Sequence, residues 1–248
     1  MSRTCPFSLC DGSGILVDED TRTSVYCRCR EMVVATARAR GLSAVIPKKY
    51  ANLSFDRAPV TTIRDSVVAS VRRYVREIDM RIAKGEGLWL YGPVGTGKTS
   101  LAMIASKAAL DAGHTVAIYS LPRLLSEIRR TFDDDSLISQ TQLLDKLTAV
   151  DLLHIDDVGA EQTSSWVLEQ LYAMINARYE QERAVIITTN LERDALAEQI
   201  NERTVSRLEE MCEVLPVFGA DLRQFHQRDQ SVVDEPDPVA SPVTWDRA

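Results

Sequence analysis

The chain has 248 residues, of which 45% are hydrophobic, and its 29 basic and 36 acidic residues give a net charge of −7. This composition is typical of a globular protein and excludes the disordered and fibrous classes. No apolar run approaches the roughly 20 residues of a membrane helix. No apolar segment follows the basic residue near the start, so we expect a cytoplasmic protein without a secretory signal.

Composition divides the chain into four predicted segments. Residues 1–40 hold four cysteines and, from residue 30, a helical stretch, whereas 41–60 contain two prolines and little periodicity and are predicted to be a linker. Residues 61–228 form the predicted main domain, and residues 229–248 form a predicted acidic, disordered tail. Residues 1–84 carry 15 basic and 9 acidic side chains. Such a basic front half permits contact with nucleic acid without demonstrating it.

The N-terminal cysteines form two close pairs separated by 16 residues that are rich in turn formers. Four thiolates in two pairs are typical ligands of structural Zn²⁺, which supplies folding free energy that so small a segment lacks. The first pair is spaced more widely, and the second more closely, than the usual C-x2-C of zinc sites. The alternative is that the four cysteines are reduced thiols in a flexible tail. The predicted Zn²⁺ ligands of this zinc-ribbon-like module are Cys5, Cys10, Cys27 and Cys29. Cys212 is predicted to be a buried thiol.

Beyond the linker, apolar residues at three- and four-residue spacing predict an amphipathic helix over residues 61–84. Five short apolar runs then alternate with helical patterns. This alternation is typical of an α/β fold in which a parallel sheet lies between helices. The predicted strands are Leu88–Tyr91, Thr115–Tyr119, Leu152–Ile155, Val185–Thr189 and Val214–Phe218.

The first of these strands leads into a complete phosphate-binding loop, G-x-x-x-x-G-K-[ST], which a helical pattern follows. Its glycines let backbone N–H groups approach phosphate oxygens, its lysine reaches the β- and γ-phosphates, and its threonine hydroxyl ligates Mg²⁺. The predicted ligands are therefore ATP and Mg²⁺. The loop consists of Gly92, Pro93, Val94, Gly95, Thr96, Gly97, Lys98 and Thr99.

Polar residues end two of the later strands. We expect Asp156 to complete the Mg²⁺ shell and Asp157 to polarise the attacking water, although both acids could instead cap the following helix. Asn190 follows the next strand and could bond the γ-phosphate or the water, or form a plain turn.

Together these residues resemble the AAA+ ATPases and, more narrowly, the DnaC/DnaI-type helicase loaders and the related transposition helper ATPase IstB. The resemblance covers roughly residues 45–225 and implies that the strand of Asn190 lies between the two motif strands. It also implies a truncated or absent lid domain. Besides the phosphate-binding loop, the segments that carry the resemblance to the loaders and IstB are Leu152–Glu161, Ser165–Tyr179, Thr188–Leu191 and Arg203–Leu208.

The resemblance further implies that neighbouring subunits of a nucleotide-dependent homo-oligomer share each ATP site. Arg207 matches the arginine finger that reaches the adjacent subunit's ATP, with Arg203 as its competitor, and Asn190 matches the first sensor. Arg223 matches the second sensor, which contacts the γ-phosphate within its own subunit. Guanidinium groups suit these roles because they stay charged and bind two oxygens. Many AAA+ members carry Asp-Glu where this chain has two aspartates, so we expect slow hydrolysis that single-stranded DNA or a partner stimulates.

The resembled loaders bind a hexameric replicative helicase through their N-terminal part and single-stranded DNA through the pore of a helical oligomer. Both partners are therefore expected here. The predicted DNA contacts lie on the helix after the second predicted strand, where a solvated helix face is the alternative. We expect Phe132 to be the only aromatic residue near these contacts, which favours phosphate binding over base stacking. These contacts are Arg123, Arg129 and Arg130.

The leading hypothesis is an ATP-dependent loader of a replicative helicase onto single-stranded DNA. The first alternative is an IstB-like helper that delivers a transposase to target DNA, although IstB proteins usually lack an N-terminal cysteine module. A P-loop nucleotide kinase is disfavoured because the sequence shows no arginine-rich lid. The third alternative is a zinc-binding adaptor protein whose state is switched by ATP binding without hydrolysis. The short side chain of Asp157 is the best argument for this alternative.

Overall fold

The computed structural model describes residues 5, 7–18, 23–30, 33, 46–132, 139–159 and 164–222. The predicted acidic tail and most of the helix expected from residue 30 to residue 40 lie outside these residues. The described chain begins with an antiparallel hairpin of β1 (Ile15–Asp18) and β2 (Thr23–Tyr26). Within the described ranges, no helix is long and apolar enough to cross a membrane.

Eight α-helices and five strands follow within the described residues, after two short 3-10 helices at Lys48–Tyr50 and Val60–Thr62. The helices are α1 (Asp65–Arg76), α2 (Ile78–Ala83), α3 (Lys98–Asp111), α4 (Leu121–Arg130), α5 (Gln140–Ala149), α6 (Ser165–Glu180), α7 (Arg193–Ile200) and α8 (Glu202–Met211). The strands are β3 (Gly87–Tyr91), β4 (Val116–Ser120), β5 (Leu152–Val158), β6 (Ala184–Thr189) and β7 (Cys212–Pro216).

The five later strands form one parallel sheet in the order β4-β5-β6-β3-β7. Parallel strands need crossover connections, and the helices in these connections cover both faces of the sheet. The predicted α/β fold is therefore confirmed. As the resemblance implied, β6 lies between the strand that precedes the phosphate-binding loop and the strand that carries the two aspartates.

Side chains of successive strand residues point to opposite faces of the sheet and build two separate cores. Trp89 packs on one face with apolar residues of α4 to α8. Leu88 and Leu90 pack on the other face with apolar residues of α1, α2 and α3. Since β3 is buried on both faces, its sequence shows a continuous apolar run rather than an alternating pattern.

Several predicted boundaries differ from the structure, and two of these differences have a clear structural cause. The helix expected over residues 61–84 is two helices, because Glu77, with φ −102° and ψ +18°, leaves the helical conformation between them. The strand predicted at Val214–Phe218 instead covers Cys212–Pro216, where it pairs residue for residue with Gly87–Tyr91. The partner strand sets this boundary, and the apolar pattern does not contain that information.

The buried guanidinium of Arg178, on α6, connects three elements. Its two terminal nitrogens donate hydrogen bonds of 2.6–3.2 Å to the carbonyls of Leu147, Thr148, Val150, Asp151 and Ala184. Leu147 and Thr148 belong to the last turn of α5, where the helix dipole stabilises a cation. Burial lowers the pKa of Arg178 to about 9, so the side chain remains charged at neutral pH.

We expect Arg178→Met to lower the free energy of unfolding by about 3–5 kcal/mol, because it leaves buried carbonyls without a donor. Urea denaturation of the purified protein measures this loss. Arg183→Ala is the matched control, since it removes a guanidinium that is 35% exposed and paired with Asp151. The control should cost less than about 1 kcal/mol. Equal losses in the two variants would contradict the role given to Arg178.

Candidate active site

The phosphate-binding loop connects β3 to α3, and its glycines take backbone conformations that other residues rarely adopt. Gly95 has φ +82°, and a Cβ there would lie 1.9 Å from Oδ1 of Asp221. Gly97, which caps the N-terminus of α3, has φ +96°. Positive φ and crowding both exclude larger residues. The loop therefore carries no side chain at these positions, as close approach of a phosphate to the backbone requires.

Lys98 is held against the same loop. Its side chain is buried, and Nζ donates hydrogen bonds of 2.7 Å to the carbonyls of Gly92 and of Pro93. The Thr96 hydroxyl also donates to the Pro93 carbonyl, at 2.9 Å. A cation shielded from water attracts a phosphate more strongly than an exposed cation does. The position of Lys98 thus suits the role predicted for it.

Asp156 lies near the carboxyl end of β5, where two hydroxyl groups contact one of its oxygens. The Thr99 Oγ1 donates to Asp156 Oδ1 at 2.9 Å, and Thr188 Oγ1, from β6, donates to the same atom at 2.6 Å. The fold therefore brings the two predicted Mg²⁺ ligands, 57 residues apart in the chain, into direct contact. Carboxylate and hydroxyl oxygens are ligands that Mg²⁺ prefers, so this donor set fits the cation.

Asp157 and Asn190, the two residues expected to act on the attacking water, are also brought together. Asn190 Nδ2 donates to Asp157 Oδ1 at 3.1 Å. Asp157 has φ +62°, a conformation that is rare outside glycine and occurs often at functional sites. Its backbone N–H donates to Thr188 Oγ1 at 2.9 Å.

Thr188 thus contacts both aspartates, and the sequence analysis missed it. The available signal was a pair of threonines that end an otherwise apolar strand, Ala184–Thr189. A polar side chain in a fully buried strand needs a hydrogen-bond partner. The Thr188 hydroxyl donates to the carboxylate of Asp156 and accepts from the backbone N–H of Asp157.

These residues surround a cavity of about 320 Å³, within the size range of small-molecule sites. Part of its wall comes from the predicted linker, residues 41–60. From residue 46 onward, apolar side chains of this segment pack against the sheet and its helices. The cavity is lined by Lys49, Tyr50, Pro59, Val94, Gly95, Gly97, Lys98, Thr99, Ser100, Asp156, Asp157, Thr188, Asn190 and Leu222.

Arg207 and Arg203 lie away from this cavity, in a surface pocket beside α8. The Arg207 guanidinium stacks 4.3 Å from the ring centre of Tyr179, and its Nε donates to Asn176 Oδ1 at 3.4 Å. Arg223 lies outside the described residues. Among the residues that the structure describes, no arginine lines the nucleotide cavity of its own chain.

The predicted DNA-binding arginines are on α4, and aromatic rings accompany them. Arg129 lies 5.2 Å from the ring centre of Trp166, which makes an edge contact of 6.2 Å with Phe132. Arg123 lies 5.7 Å from the ring centre of Tyr119. The expectation that Phe132 is the only aromatic residue nearby is therefore wrong. Trp166 is distant in sequence, and the fold places the start of α6 beside the end of α4.

The N-terminal cysteines form one cluster. All four Sγ atoms lie within 4.8 Å of one another, with Cys5 and Cys27 3.8 Å apart and Cys10 and Cys29 3.4 Å apart. The backbone N–H of Gly12 donates to Cys10 Sγ at 3.4 Å. Tetrahedral Zn²⁺ with Zn–S bonds of about 2.3 Å separates its sulfurs by about 3.8 Å. The donor set therefore fits Zn²⁺.

The charge of this cluster also favours a cation. Burial raises the pKa of Cys5, but hydrogen bonds from backbone N–H groups of neighbouring residues outweigh it and lower the pKa to about 6. Burial and the adjacent thiols raise the pKa of Cys29 to about 12. Further thiolates are thus disfavoured unless a cation neutralises them. Cys212 lies elsewhere and is the buried thiol predicted, and burial raises its pKa.

Comparison with known proteins gives a consistent set of matches. Residues 71–230 match the family described as IstB-like ATP binding protein. The replicative helicase loader DnaC of Buchnera aphidicola (subsp. Acyrthosiphon pisum) is 27% identical over 164 residues, which are 66% of this chain and 65% of that protein. The DnaC of Escherichia coli is 29% identical over 143 residues, 58% of this chain and 57% of that protein. The matches thus span less than two thirds of these curated relatives.

A crystal structure of the DnaC helicase loader superposes on this chain with a TM-score of 0.60 and 27% sequence identity. The superposition covers 69% of this chain and 100% of that chain. The two proteins therefore share a fold over this part of the chain.

Gly95→Ala should weaken the binding of a fluorescent ADP analogue by more than about tenfold, because the new methyl group collides with Asp221 and disturbs the loop. Gly113→Ala is the control, since Gly113 also has positive φ, +92°, but nothing lies within 4 Å of its Cβ position. Both variants should lose about 1–2 kcal/mol of stability. Unchanged nucleotide affinity in Gly95→Ala would show that this loop does not hold the nucleotide.

Proposed function

We propose that this chain, which belongs to the family of IstB-like ATP-binding proteins, is an ATP-hydrolysing loader that delivers a replicative helicase to single-stranded DNA. The similarity to replicative helicase loaders over the ATPase domain, proposed as residues 61–228, carries this proposal. The contacts within the nucleotide site support it, because Thr99 donates a hydrogen bond to Asp156 and Asn190 donates one to Asp157.

Within the subunit, the phosphate-binding loop and Lys98 bind the phosphates of ATP, and Thr99 and Asp156 hold Mg²⁺. When bound, Mg²⁺ neutralises charge on the phosphate oxygens. Asp157 and Asn190 orient and polarise the attacking water, a role that their mutual hydrogen bond supports. Since aspartate is one methylene shorter than glutamate, hydrolysis is slow, and single-stranded DNA or the partner stimulates it.

Arg207 completes the site of a neighbouring subunit in a nucleotide-dependent oligomer. It is 35% exposed, stacks on Tyr179 and lines no part of its own nucleotide cavity, so its guanidinium is displayed on the surface. Arg203 lies in the same pocket and is the competing finger. Arg223 acts as the second sensor in its own subunit. A guanidinium at either place stabilises the charge of the transferred phosphoryl group.

The cysteine module, proposed as residues 1–40, binds Zn²⁺ and contacts the helicase. Cys5, Cys10, Cys27 and Cys29 hold the metal, and the hairpin of β1 and β2 presents apolar side chains to solvent. Val17 is 71% exposed and Tyr26 75% exposed. Exposed apolar side chains of this kind are typical of protein interfaces.

Single-stranded DNA binds along α4. Arg123, Arg129 and Arg130 neutralise phosphates, and Phe132, which is 58% exposed, and Trp166 offer rings on which bases stack. Binding of this kind depends on salt and not on sequence.

Capture of the replicative helicase of the same source by the immobilised full-length protein tests the proposal. Capture should occur and should differ between ATP and ADP. Val17→Ser/Tyr26→Ser should reduce it about tenfold, because both side chains are removed from the proposed contact. Met80→Ser, which changes a side chain 45% exposed on α2, should leave capture unchanged.

Absence of capture in both nucleotide states would contradict the loader function. It would favour the second candidate, an IstB-like helper that delivers a transposase to target DNA, which the description of the matching family supports. If the double variant and the control variant both retain capture, the helicase contact lies outside the hairpin.

Arg129→Ala/Arg130→Ala should lower the affinity for an oligothymidine about tenfold at roughly 0.1 M salt, measured by fluorescence anisotropy. The slope of log affinity against log salt should fall by about 1.4, as the loss of two phosphate contacts to a single strand predicts. Arg72→Ala/Arg76→Ala removes the same charge from exposed positions on α1 and is the control. An unchanged slope in the first variant would exclude α4 as the DNA site.

A further inference from the structure

His154 is a fully buried histidine in the strand of the two aspartates, and none of the roles above involves it. Its Nδ1 lies 2.9 Å from the hydroxyl of Ser106, which is itself buried on α3. Its Nε2 is buried and has no hydrogen-bond partner among the described residues. That nitrogen lies 4.0 Å from Asp156 Oδ1.

The strand geometry explains this proximity. Residues two apart in a strand point to the same face, so His154 and Asp156 lie side by side and face α3. The neighbours of His154 in the strand, Leu153 and Ile155, are fully buried apolar residues that point to the opposite face. An apolar side chain at position 154 would fill the same space. A buried polar nitrogen costs stability unless a nearby group of suitable charge compensates for its lost contact with water.

The charge of Asp156 supplies that compensation and selects the tautomer of the ring. A carboxylate beside Nε2 attracts an N–H dipole and repels a lone pair. The proton therefore lies on Nε2, and the Ser106 hydroxyl donates to Nδ1.

We propose that Ser106 and His154 position Asp156, with the Nε2–H of His154 holding the carboxylate in the orientation that takes the Mg²⁺ of bound ATP. This inference rests on the proposed function, in which Asp156 completes the Mg²⁺ shell. His154 touches neither nucleotide nor cation and is a positioning residue.

The remaining contacts of Asp156 agree with this role. In the part of the chain that the structure describes, both hydroxyl hydrogen bonds to the carboxylate fall on Oδ1, the oxygen that also faces His154. The second oxygen, Oδ2, is left for a cation. At 4.0 Å the contact is longer than a hydrogen bond and acts as an attraction between charge and dipole, which the buried surroundings strengthen.

Binding of a fluorescent, non-hydrolysable ATP analogue to the full-length protein, with Mg²⁺ and with EDTA, tests the proposal. His154→Leu should weaken binding about tenfold in Mg²⁺ and less than about twofold in EDTA, since partners of a metal ligand tune metal affinity. His154→Gln, which can place an amide N–H near the position of Nε2, should restore binding in Mg²⁺ to within about twofold of the unaltered protein. Ser106→Ala should show a smaller loss, also confined to Mg²⁺.

Leu152→Ala is the control for lost packing, because Leu152 is buried on the same face of the same strand. It should lower the melting temperature and leave the ratio of the two affinities unchanged. Equal losses in Mg²⁺ and EDTA, no loss in either, or a failure of His154→Gln to restore binding would overturn the proposal. If His154→Leu does not fold, the Mg²⁺-specific loss in Ser106→Ala decides. Failure of the unaltered protein to bind the analogue would instead reject the proposed nucleotide function.

Discussion

The parallel pairing of β6 between β3 and β5 is the constraint on which the nucleotide site depends. Because the carboxyl ends of parallel strands meet at one edge of a sheet, the phosphate-binding loop, the two aspartates and Asn190 converge there. Thr188 fixes their spacing, since its hydroxyl contacts Asp156 and the backbone of Asp157. A slip of β6 by one residue would turn Thr188 to the other face and remove both contacts.

Buried polar side chains stabilise the two ends of this sheet by different means. At the amino ends of β5 and β6, Arg178 donates hydrogen bonds to backbone carbonyls and so holds both strands to the end of α5. Toward the carboxyl end of β5, hydroxyl groups and the imidazole of His154 surround Asp156. A carboxylate that is held by its neighbours on rigid strands needs little reorganisation when a cation binds.

Under the proposed function, the described subunit contains the binding half of an ATPase site, and Arg207 on its surface belongs to the site of a neighbouring subunit. The loop, the aspartates and Asn190 surround one cavity, whereas Arg207 stacks on Tyr179 beside a different pocket. Under the proposed function, this separation links hydrolysis to assembly, because a cavity gains its arginine only when another subunit is adjacent. The rate of ATP hydrolysis would then depend on whether subunits are assembled, and thereby on whether DNA is bound.

The sequence by itself determined the features that local spacing encodes: the phosphate-binding loop at Gly92–Thr99, the two aspartates, the paired cysteines and the alternation of strands and helices. Periodicity and motif spacing act over a few residues, so one sequence suffices to find them. Only the tertiary structure decided that Thr188 contacts both aspartates and that Trp166 lies beside Arg129. It also decided that Lys49, Tyr50 and Pro59 line the cavity and that Ser106 contacts His154. Each of these contacts joins residues that are distant in the chain. Sheet order and helix packing bring them together, and no local pattern of residues specifies such a pairing.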